Sequence, residues 1–433
     1  MQPSDARGFR AAEEDLDAEA YLRCTYAIEC EGDPEHAAAV FCSEQSTAQW
    51  QRPGVAEDLR PRFGAKLLDL EVCGERETAS YGLGAPGSGP VQACRITVAH
   101  PHGNFGPRIP NMLSALLGEG AFYSPQIPVV RLLDLTFPDT FLADFDGPSV
   151  GADGLRDLLD VHDRPLFFAV IKPNIGLPPE PFAAIGYAAW VGGVDVAKDD
   201  EMLADTPWCP FTERTRLLGA ARRDAEDATG RAKLYLAHVT DEVDRMRELV
   251  EIGVGHGANA VLVNTGAVGY SATRALRSVT DVPIVGHLPV NAALSRPERY
   301  GVHSRVLTAL QRLSGCDAMV MPGFAPRMRT PAEEVRACID AAGRPMGRLP
   351  AALPALGGGV SAASVADAYA KVGSVGFGLV AGRGVANHPL GPQAGARSLL
   401  QAWDAAAAGR DAAEAAGGQP ELAAALEAFG DRP

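Results

Sequence analysis

The feature that most constrains the fold of this chain is a regular alternation of short apolar runs and longer amphipathic segments, which begins near residue 164. The apolar runs are rich in β-branched residues, as is typical of strands that are buried on both faces of a parallel sheet. The segments between them, the one at 296–315 included, have the pattern of helices that cover such a sheet. The alternation matches a closed (β/α)8 barrel. Its apolar runs are 165–172, 194–198, 233–239, 259–265, 282–287, 317–322, 353–359 and 376–382.

The first third of the chain lacks this regularity. Strand-like runs alternate there with helical and Pro/Gly-containing segments, which predicts an α+β domain. The runs are 21–30, 66–73, 91–100 and 129–137. We therefore predict an α/β protein with two domains. Residues 1–145 form an N-terminal α+β domain, and residues 146–433 form a (β/α)8 TIM barrel with a C-terminal helical extension.

The composition of the chain limits its possible cellular compartments and binding partners. A net charge of −15 with no long basic cluster argues against nucleic-acid binding. The eight cysteines show no CxxC and no metal-ligand spacing, which indicates reduced, packed thiols. The N-terminus lacks the apolar core of a signal peptide, and no apolar run has membrane-spanning length. We expect a cytoplasmic protein without a membrane partner.

Polar residues follow several of the barrel runs. The second run ends in the charged sequence Lys198–Glu201, and the first run ends in Lys172. Such a charge run is more often a solvated surface than a site. In parallel barrels, however, the reactive groups stand at the C-terminal ends of the strands. The other groups that follow runs at this end are His238, Asn264, His287, the glycines 357–359 and the segment 382–384.

Five motifs, in this order, resemble those of the ribulose bisphosphate carboxylase/oxygenase (RuBisCO) large chain. They are SEQSTAQW at 43–50, IKPNIGL at 171–177, GGVDVAKDDE at 192–201, YGVHSRVL at 300–307 and AGRGVANHPLG at 381–391. The motifs span nearly the whole chain, so the resemblance implies both the barrel and the N-terminal domain of that family.

Departures from the family pattern imply a different activity. By the resemblance, Asn174 replaces a lysine that helps to hold CO2, and Leu288 replaces a phosphate-binding arginine. The segment 319–328 lacks a histidine and a loop lysine, Leu356 replaces a serine, and Glu119 replaces an asparagine near the metal. The chain therefore resembles a RuBisCO-like protein that does not fix carbon.

The resemblance also implies a metal centre. Lys198 would be carbamylated by CO2 and would bind Mg2+ together with Asp200 and Glu201, because these three groups then offer hard, anionic oxygens. The alternative is an ion-paired cluster without metal. Bound Mg2+ acts as a Lewis acid, which favours enolisation, isomerisation or decarboxylation of a keto compound.

Candidate proton-transfer groups follow the strands around this centre. Lys172 is the first candidate for a general acid or base, His287 is the second and His238 is weaker. The alternative for Lys172 is a structural ion pair, and for each histidine a satisfied residue of the barrel.

The glycine runs after strands seven and eight predict a phosphate site, because bare backbone N–H groups can approach an anion closely. Gly357 and Gly358 supply the first run, and Gly382 with Arg383 supplies the second. Asn174 is a further candidate substrate contact. The alternative is that these glycines serve only as turns. With one phosphate site retained, the substrate is expected to be a monophosphate or a sugar acid.

The resemblance implies a homodimer or a higher assembly of dimers. Glu44, Trp50 and Glu119 would then reach the active site of the partner subunit. Taken alone, each is more often an ordinary surface residue.

Three kinds of function remain open. The first is an Mg2+-dependent enolase or isomerase of a phosphorylated keto sugar or keto acid, with a decarboxylase or transcarboxylase of a 3-keto sugar-acid phosphate as its alternative. The second is a metal-free aldolase in which Lys172 or Lys198 forms a Schiff base. The third is a barrel that binds a sugar phosphate without catalysis.

Overall fold

The computed structural model describes residues 3–81, 90–124 and 126–430. The strands are β1 (Tyr21–Glu31), β2 (Lys66–Arg76), β3 (Val91–Pro101), β4 (Val129–Thr136), β5 (Leu166–Val170), β6 (Val196–Lys198), β7 (Leu234–His238), β8 (Ala260–Val263), β9 (Ile284–Gly286), β10 (Gly301–Val302), β11 (Ala318–Pro322), β12 (Leu353–Gly357) and β13 (Gly378–Ala381).

The helices of the described residues are α1 (Pro3–Ala6), α2 (Pro34–Glu44), α3 (Arg60–Phe63), α4 (Ile109–Leu116), α5 (Glu119–Tyr123), α6 (Asp139–Leu142), α7 (Gly151–Leu159), α8 (Pro179–Gly192), α9 (Phe211–Thr229), α10 (Val243–Gly255), α11 (Thr265–Val268), α12 (Tyr270–Arg277), α13 (Asn291–Ser295), α14 (Ser304–Leu313), α15 (Ala332–Gly343), α16 (Val365–Val372), α17 (Arg383–Ala386), α18 (Pro392–Ala407), α19 (Ala412–Ala415) and α20 (Pro420–Phe429). None of these helices is both long and apolar enough to cross a membrane.

The chain divides into two compact units, of which the first comprises residues 1–146, 290–310 and 345–349. Its sheet has the strand order β10-β4-β1-β3-β2. The long pair β1 and β3 is antiparallel, with Tyr21 opposite Pro101 and Glu31 opposite Val91. Alternate residues of β1 are buried, and Tyr26 packs edge-on against Phe41 of α2 at 5.1 Å between ring centroids. This mixed sheet with its helices confirms the predicted α+β character.

The second unit is the barrel, formed by residues 147–289, 311–344 and 350–433. Eight parallel strands close in the order β11-β12-β13-β5-β6-β7-β8-β9, which confirms the predicted TIM barrel. Alternate strand residues belong to two apolar clusters. Phe168, Val196 and Leu236 belong to the inner cluster, whereas Ala197 and Tyr235 belong to the cluster that the helices cover.

Strand β6 begins two residues later than the sequence pattern indicates. Helix α8 ends at Gly192, and Gly193 has a left-handed φ of +117°, so the chain turns before it can pair. Val196, Ala197 and Lys198 then pair with Leu234, Tyr235 and Leu236 of β7. Because strand residues alternate between faces, Lys198 and Asp200 lie on the inner face and Asp199 lies on the outer one.

The segment 296–315 is not one long helix. Its first part contains the short strand β10, in which Gly301 pairs with Arg131 of β4 in the first unit. Only Ser304–Leu313 forms a helix. The sequence pattern missed this because the pairing joins residues 170 positions apart in the chain.

Candidate active site

Two lysine–carboxylate pairs lie at the C-terminal ends of β5 and β6. The Lys198 ammonium donates to Glu201 Oε2 at 3.1 Å, and the Lys172 ammonium donates to Asp200 Oδ2. His287, directly after β9, places Nε2 3.4 Å from the same Glu201 Oε2. The structure thus brings together five of the predicted site residues.

Lys198 is the most deeply placed of these groups. Its side chain is 1% exposed, and Nζ also donates to the Asp199 carbonyl oxygen at 2.9 Å. Burial lowers the pKa of the Lys198 amine, although the charges of Glu201 and Asp200 oppose that shift. A larger fraction of the Lys198 amine is therefore deprotonated at a given pH than for a surface lysine.

Glu201 stays ionised in this setting. Burial raises the pKa of its carboxyl group, but the positive charge of Lys198 opposes burial, and the pKa of Glu201 is lowered to about 2. For His287, burial first and the charge of Lys198 second hold the imidazole pKa well below its ordinary value. The pair is accordingly an anionic carboxylate beside a neutral imidazole.

Lys172 links Asp200 to the neighbouring segment. Its ammonium donates to Asn174 Oδ1 at 2.8 Å as well as to Asp200, whose Oδ1 accepts from the Met202 N–H at 3.1 Å. Asp200 is fully buried, and the Lys172 side chain is 22% exposed. Lys172, like the 25% exposed Glu201 side chain, is therefore open to an incoming molecule.

The side chains of this cluster determine whether a metal ion could bind there. In the described part of the chain, no group of three or more His, Cys, Asp and Glu side chains is arranged to hold a metal ion. Asp200 and Glu201 provide two carboxylates, and the third side chain beside them, Lys198, is a cation as it stands. An ammonium repels a metal, whereas a carbamate on the same nitrogen offers an anionic oxygen. The residues thus fit Mg2+ when Lys198 is carbamylated.

The second glycine run lies against Lys172. A Cβ placed on Gly382 would be 3.2 Å from Lys172 Cε, so the bare backbone at Gly382 is what leaves room for that side chain. Arg383 begins α17 and is exposed.

The first glycine run borders a cavity of about 200 Å3. Gly358 and Gly359 have φ of +95° and +93°, and a Cβ on Gly358 would lie 2.0 Å from Met328 Sδ. Residues 323–327 and 356–361 line much of the cavity. Glycine is required at Gly358 both for its dihedral and for its contact with Met328.

Asp199 has a structural role that the sequence analysis did not assign. Its buried carboxylate accepts from Arg214 Nε, the Tyr235 hydroxyl and the His238 backbone N–H, each at 3.1 Å. Arg214 also donates to the carbonyl oxygen of Cys209 at 3.0 Å. The Asp199 carboxylate thereby holds in position the segment that carries Asp200 and Glu201. The signal was present in the alternation of strand residues, since Asp199 must face away from its two neighbours.

The three residues predicted to act from a partner subunit lie in the first unit. Glu44 ends α2, and Glu119 begins α5. A Cβ on Gly120 would lie 3.1 Å from Glu44 Cβ, so these helix ends touch. Trp50 is covered by the Arg60 guanidinium, 3.8 Å from the ring centroid.

Comparisons with known proteins define the family. A family model described as the ribulose bisphosphate carboxylase large chain, catalytic domain, matches residues 151–429. The ribulose bisphosphate carboxylase-like protein of Allochromatium vinosum is 57% identical over 431 residues, which cover 99% of this chain and 94% of that protein. The octameric ribulose-1,5-bisphosphate carboxylase/oxygenase of Pyrococcus horikoshii aligns with a TM-score of 0.86 at 29% identity, covering 99% of this chain and 97% of that one. The chain therefore belongs to the RuBisCO large-chain family.

A third relative has a named activity. The 3-oxo-isoapionate-4-phosphate transcarboxylase/hydrolase of Xanthobacter autotrophicus is 31% identical, with 93% of this chain and 97% of that protein covered. Within the family, the present chain is a RuBisCO-like, non-carboxylating member. The presence of Asn174 and Leu288 at the positions discussed above agrees with that placement.

Proposed function

We propose that this protein is an Mg2+-dependent enzyme that enolises or isomerises a phosphorylated keto sugar or keto acid without fixing CO2. The proposal is carried by the cluster of Lys198, Asp200 and Glu201, in which a buried amine lies beside two carboxylates. A protein that only binds a sugar phosphate has no need of three such precursors to metal ligands.

Lys198 would first react with CO2. The neutral amine attacks the carbon, an N–C bond forms, one C=O π pair moves to oxygen, and the amine proton leaves to solvent. Burial supports this step because it lowers the pKa of Lys198 and so raises the neutral fraction. Lys198, Asp200 and Glu201 would then hold Mg2+, which supplies Lewis-acid polarisation of a substrate carbonyl.

The remaining residues would bind substrate and move protons. Lys172, partly exposed beside Asp200, is the proposed group that exchanges a proton with the substrate carbon or its oxygen. His287, whose Nε2 lies 3.4 Å from Glu201 Oε2, is the second proposed proton-transfer group. The backbone of Gly357, Gly358 and Gly382, with Arg383 and Asn174, would bind a phosphate or another polar end of the substrate.

A second reaction is supported by one relative. The transcarboxylase/hydrolase of Xanthobacter autotrophicus is 31% identical over nearly its whole length. Decarboxylation or transcarboxylation of a 3-keto sugar-acid phosphate passes through the same kind of carbanion as enolisation, so the same residues would serve it. The structure of the substrate, more than the metal ligands, would determine whether enolisation or decarboxylation takes place.

The setting of the enzyme is part of the proposal. We place it in the cytoplasm as a homodimer or an assembly of dimers, without nucleic-acid or membrane partners. Glu44, Trp50 and Glu119 would complete the active site of the partner subunit. We propose residues 1–145 and 146–433 as the two domains of the chain.

Carbamylation gives the sharpest test. Isotope-labelled bicarbonate with Mg2+ should give one carbamate carbon signal per chain by NMR, and Lys198→Met should abolish it. Lys233→Met is a matched control, since burial also lowers the pKa of Lys233, to about 8, while its ammonium donates to the Val194 carbonyl oxygen at the other end of the barrel. A signal that survives Lys198→Met, or is lost in the Lys233 variant alone, refutes the assignment.

Activity separates the three kinds of function. A panel of phosphorylated ketoses and 3-keto sugar acids should be turned over only with Mg2+ and bicarbonate. Full turnover in chelator, with covalent trapping by borohydride, would instead establish a Schiff base at Lys172 or Lys198. Binding without turnover of any compound would favour the non-catalytic barrel.

A further inference from the structure

Three buried hydrogen-bond acceptors stand at the ends of consecutive barrel strands. They are His238 Nε2 after β7, Asn264 Oδ1 after β8 and His287 Nδ1 after β9. Within the described part of the chain none of the three atoms has a hydrogen-bond partner, although each residue is less than one-tenth exposed. Buried polar atoms of this kind are usually paired, so a row of three points to a ligand.

The contacts of the other polar atom in each side chain show that the free atoms accept. His238 Nδ1 lies 3.0 Å from the Leu203 carbonyl oxygen, which can only accept, so Nδ1 carries the proton and Nε2 presents a lone pair. Asn264 Nδ2 donates to the Glu201 carbonyl oxygen at 3.0 Å, which leaves its Oδ1 free. His287 Nε2 faces the Glu201 carboxylate, which leaves Nδ1 as the acceptor.

The three side chains all contact the same short segment of the chain. Each is anchored to the segment 201–203, through the Leu203 carbonyl, the Glu201 carbonyl and the Glu201 carboxylate respectively. The strands pair in parallel, with His238 beside Leu262 and Val263 beside Gly286.

We propose that His238 and Asn264, together with His287, form an acceptor row that binds the hydroxyl groups of a polyhydroxylated substrate. The inference rests on the proposed function, since it assigns one end of that substrate. A phosphate group needs donors, which these atoms cannot provide, whereas a sugar hydroxyl can donate to each of them. The substrate would therefore place its phosphate at the glycines and its hydroxyl-bearing carbons along β7 to β9.

The test compares two ligands that differ only in hydroxyl groups. Ribitol 5-phosphate and n-pentyl phosphate share a chain length and a phosphate, and calorimetry with Mg2+ and bicarbonate present gives both dissociation constants. We expect the polyol to bind at least about tenfold more tightly, as lost hydrogen bonds to buried acceptors predict.

His238→Asn isolates the acceptor. Its amide N–H can keep the bond to the Leu203 carbonyl, while the Nε2 lone pair is removed. The preference for the polyol should fall by about tenfold, with the affinity for pentyl phosphate unchanged, because only the hydroxyl contact is lost. His388→Asn is the matched buried-histidine control: His388 Nε2 bonds the Glu421 carbonyl oxygen, away from this row, so its variant should keep the full preference.

Equal affinities in the wild type, an unchanged preference in His238→Asn, or binding of neither ligand would each overturn the acceptor row. The proposed function fails differently. A polyol preference that depends on His238 in protein without a carbamate would keep the row and remove the metal chemistry.

Discussion

Removing the charge of Asp199 should destabilise the barrel strongly, even though this residue is not expected to touch substrate. Asp199→Asn leaves the Arg214 guanidinium fully buried without its counter-ion. The amide oxygen can still accept from Arg214 Nε and the His238 N–H, and its NH2 group can donate to the Tyr235 hydroxyl, so the change removes the charge while the hydrogen bonds can persist. Breaking a buried ion pair from one side costs about 3–5 kcal/mol of unfolding free energy.

Replacing the other partner, Arg214, distinguishes the energy of the ion pair from the separate contributions of Asp199 and Arg214. Arg214→Met removes the cation while the Tyr235 hydroxyl and the His238 N–H still bind Asp199, so we expect a loss of about 3 kcal/mol, the lower end of the range for a broken buried pair. In the double variant no buried charge is left unpaired. Its loss should be smaller than the sum of the two single losses by about 2 kcal/mol or more, since contacting residues couple by up to about 3 kcal/mol.

Urea unfolding followed by circular dichroism measures these free energies. The Arg216→Met variant is a matched control on the same helix, because Arg216 and its partner Glu213 are both exposed. Because both partners are exposed and screened by water, the unfolding free energy of this variant should stay close to that of the wild type. Additive losses in the double variant, or an Asp199→Asn loss as small as that of the control, would refute the role given to this pair.

Three further predictions concern separate parts of the chain. Gly358→Ala should weaken pentyl phosphate binding by about tenfold or more, because its Cβ overlaps Met328, whereas Gly373→Ala, also at positive φ but in open space, should leave binding unchanged. Burial lowers the pKa of His100 to about 3. The unfolded chain binds a proton below about pH 6.5 that the folded chain does not, so stability falls from there toward pH 3, and His100→Phe should flatten the fall by up to about 1.4 kcal/mol per pH unit in urea titrations. Mg2+ and bicarbonate together should raise Tm by more than the sum of their separate effects, and additive shifts would contradict the coupled site.

Much of the barrel could be predicted from sequence because its signals are local. Each strand is a short β-branched run, and the intervening helices have their own periodicity, so the number and order of the eight units follow without tertiary information. The predicted run 353–359 contains β12, for example, and the run 376–382 contains β13. Strand ends were less accurate, since the left-handed turn at Gly193 shortens β6 at its start.

Contacts between distant residues were beyond reach of the pattern. The pairing of β10 with β4 and the bond between Arg214 and Asp199 depend on the folded arrangement of separate elements. The family motif selected Lys198, Asp200 and Glu201, but motif matching does not tell which atoms of His238 or Asn264 lack a partner. That required the hydrogen bonds to Leu203 and Glu201.

The charges of the cluster explain why its two proposed ligands should act together. Lys172 and Lys198 balance Asp200 and Glu201, and His287 is neutral, so the group has no net charge as it stands. Conversion of the Lys198 ammonium to a carbamate exchanges a positive for a negative charge and leaves an excess of two negative charges in a buried site. An uncompensated buried charge is costly, and a divalent cation would remove the imbalance. Neither the carbamate nor the metal is therefore expected to be stable here without the other, which makes cooperative stabilisation the property that distinguishes a metal centre from a permanent ion-pair cluster.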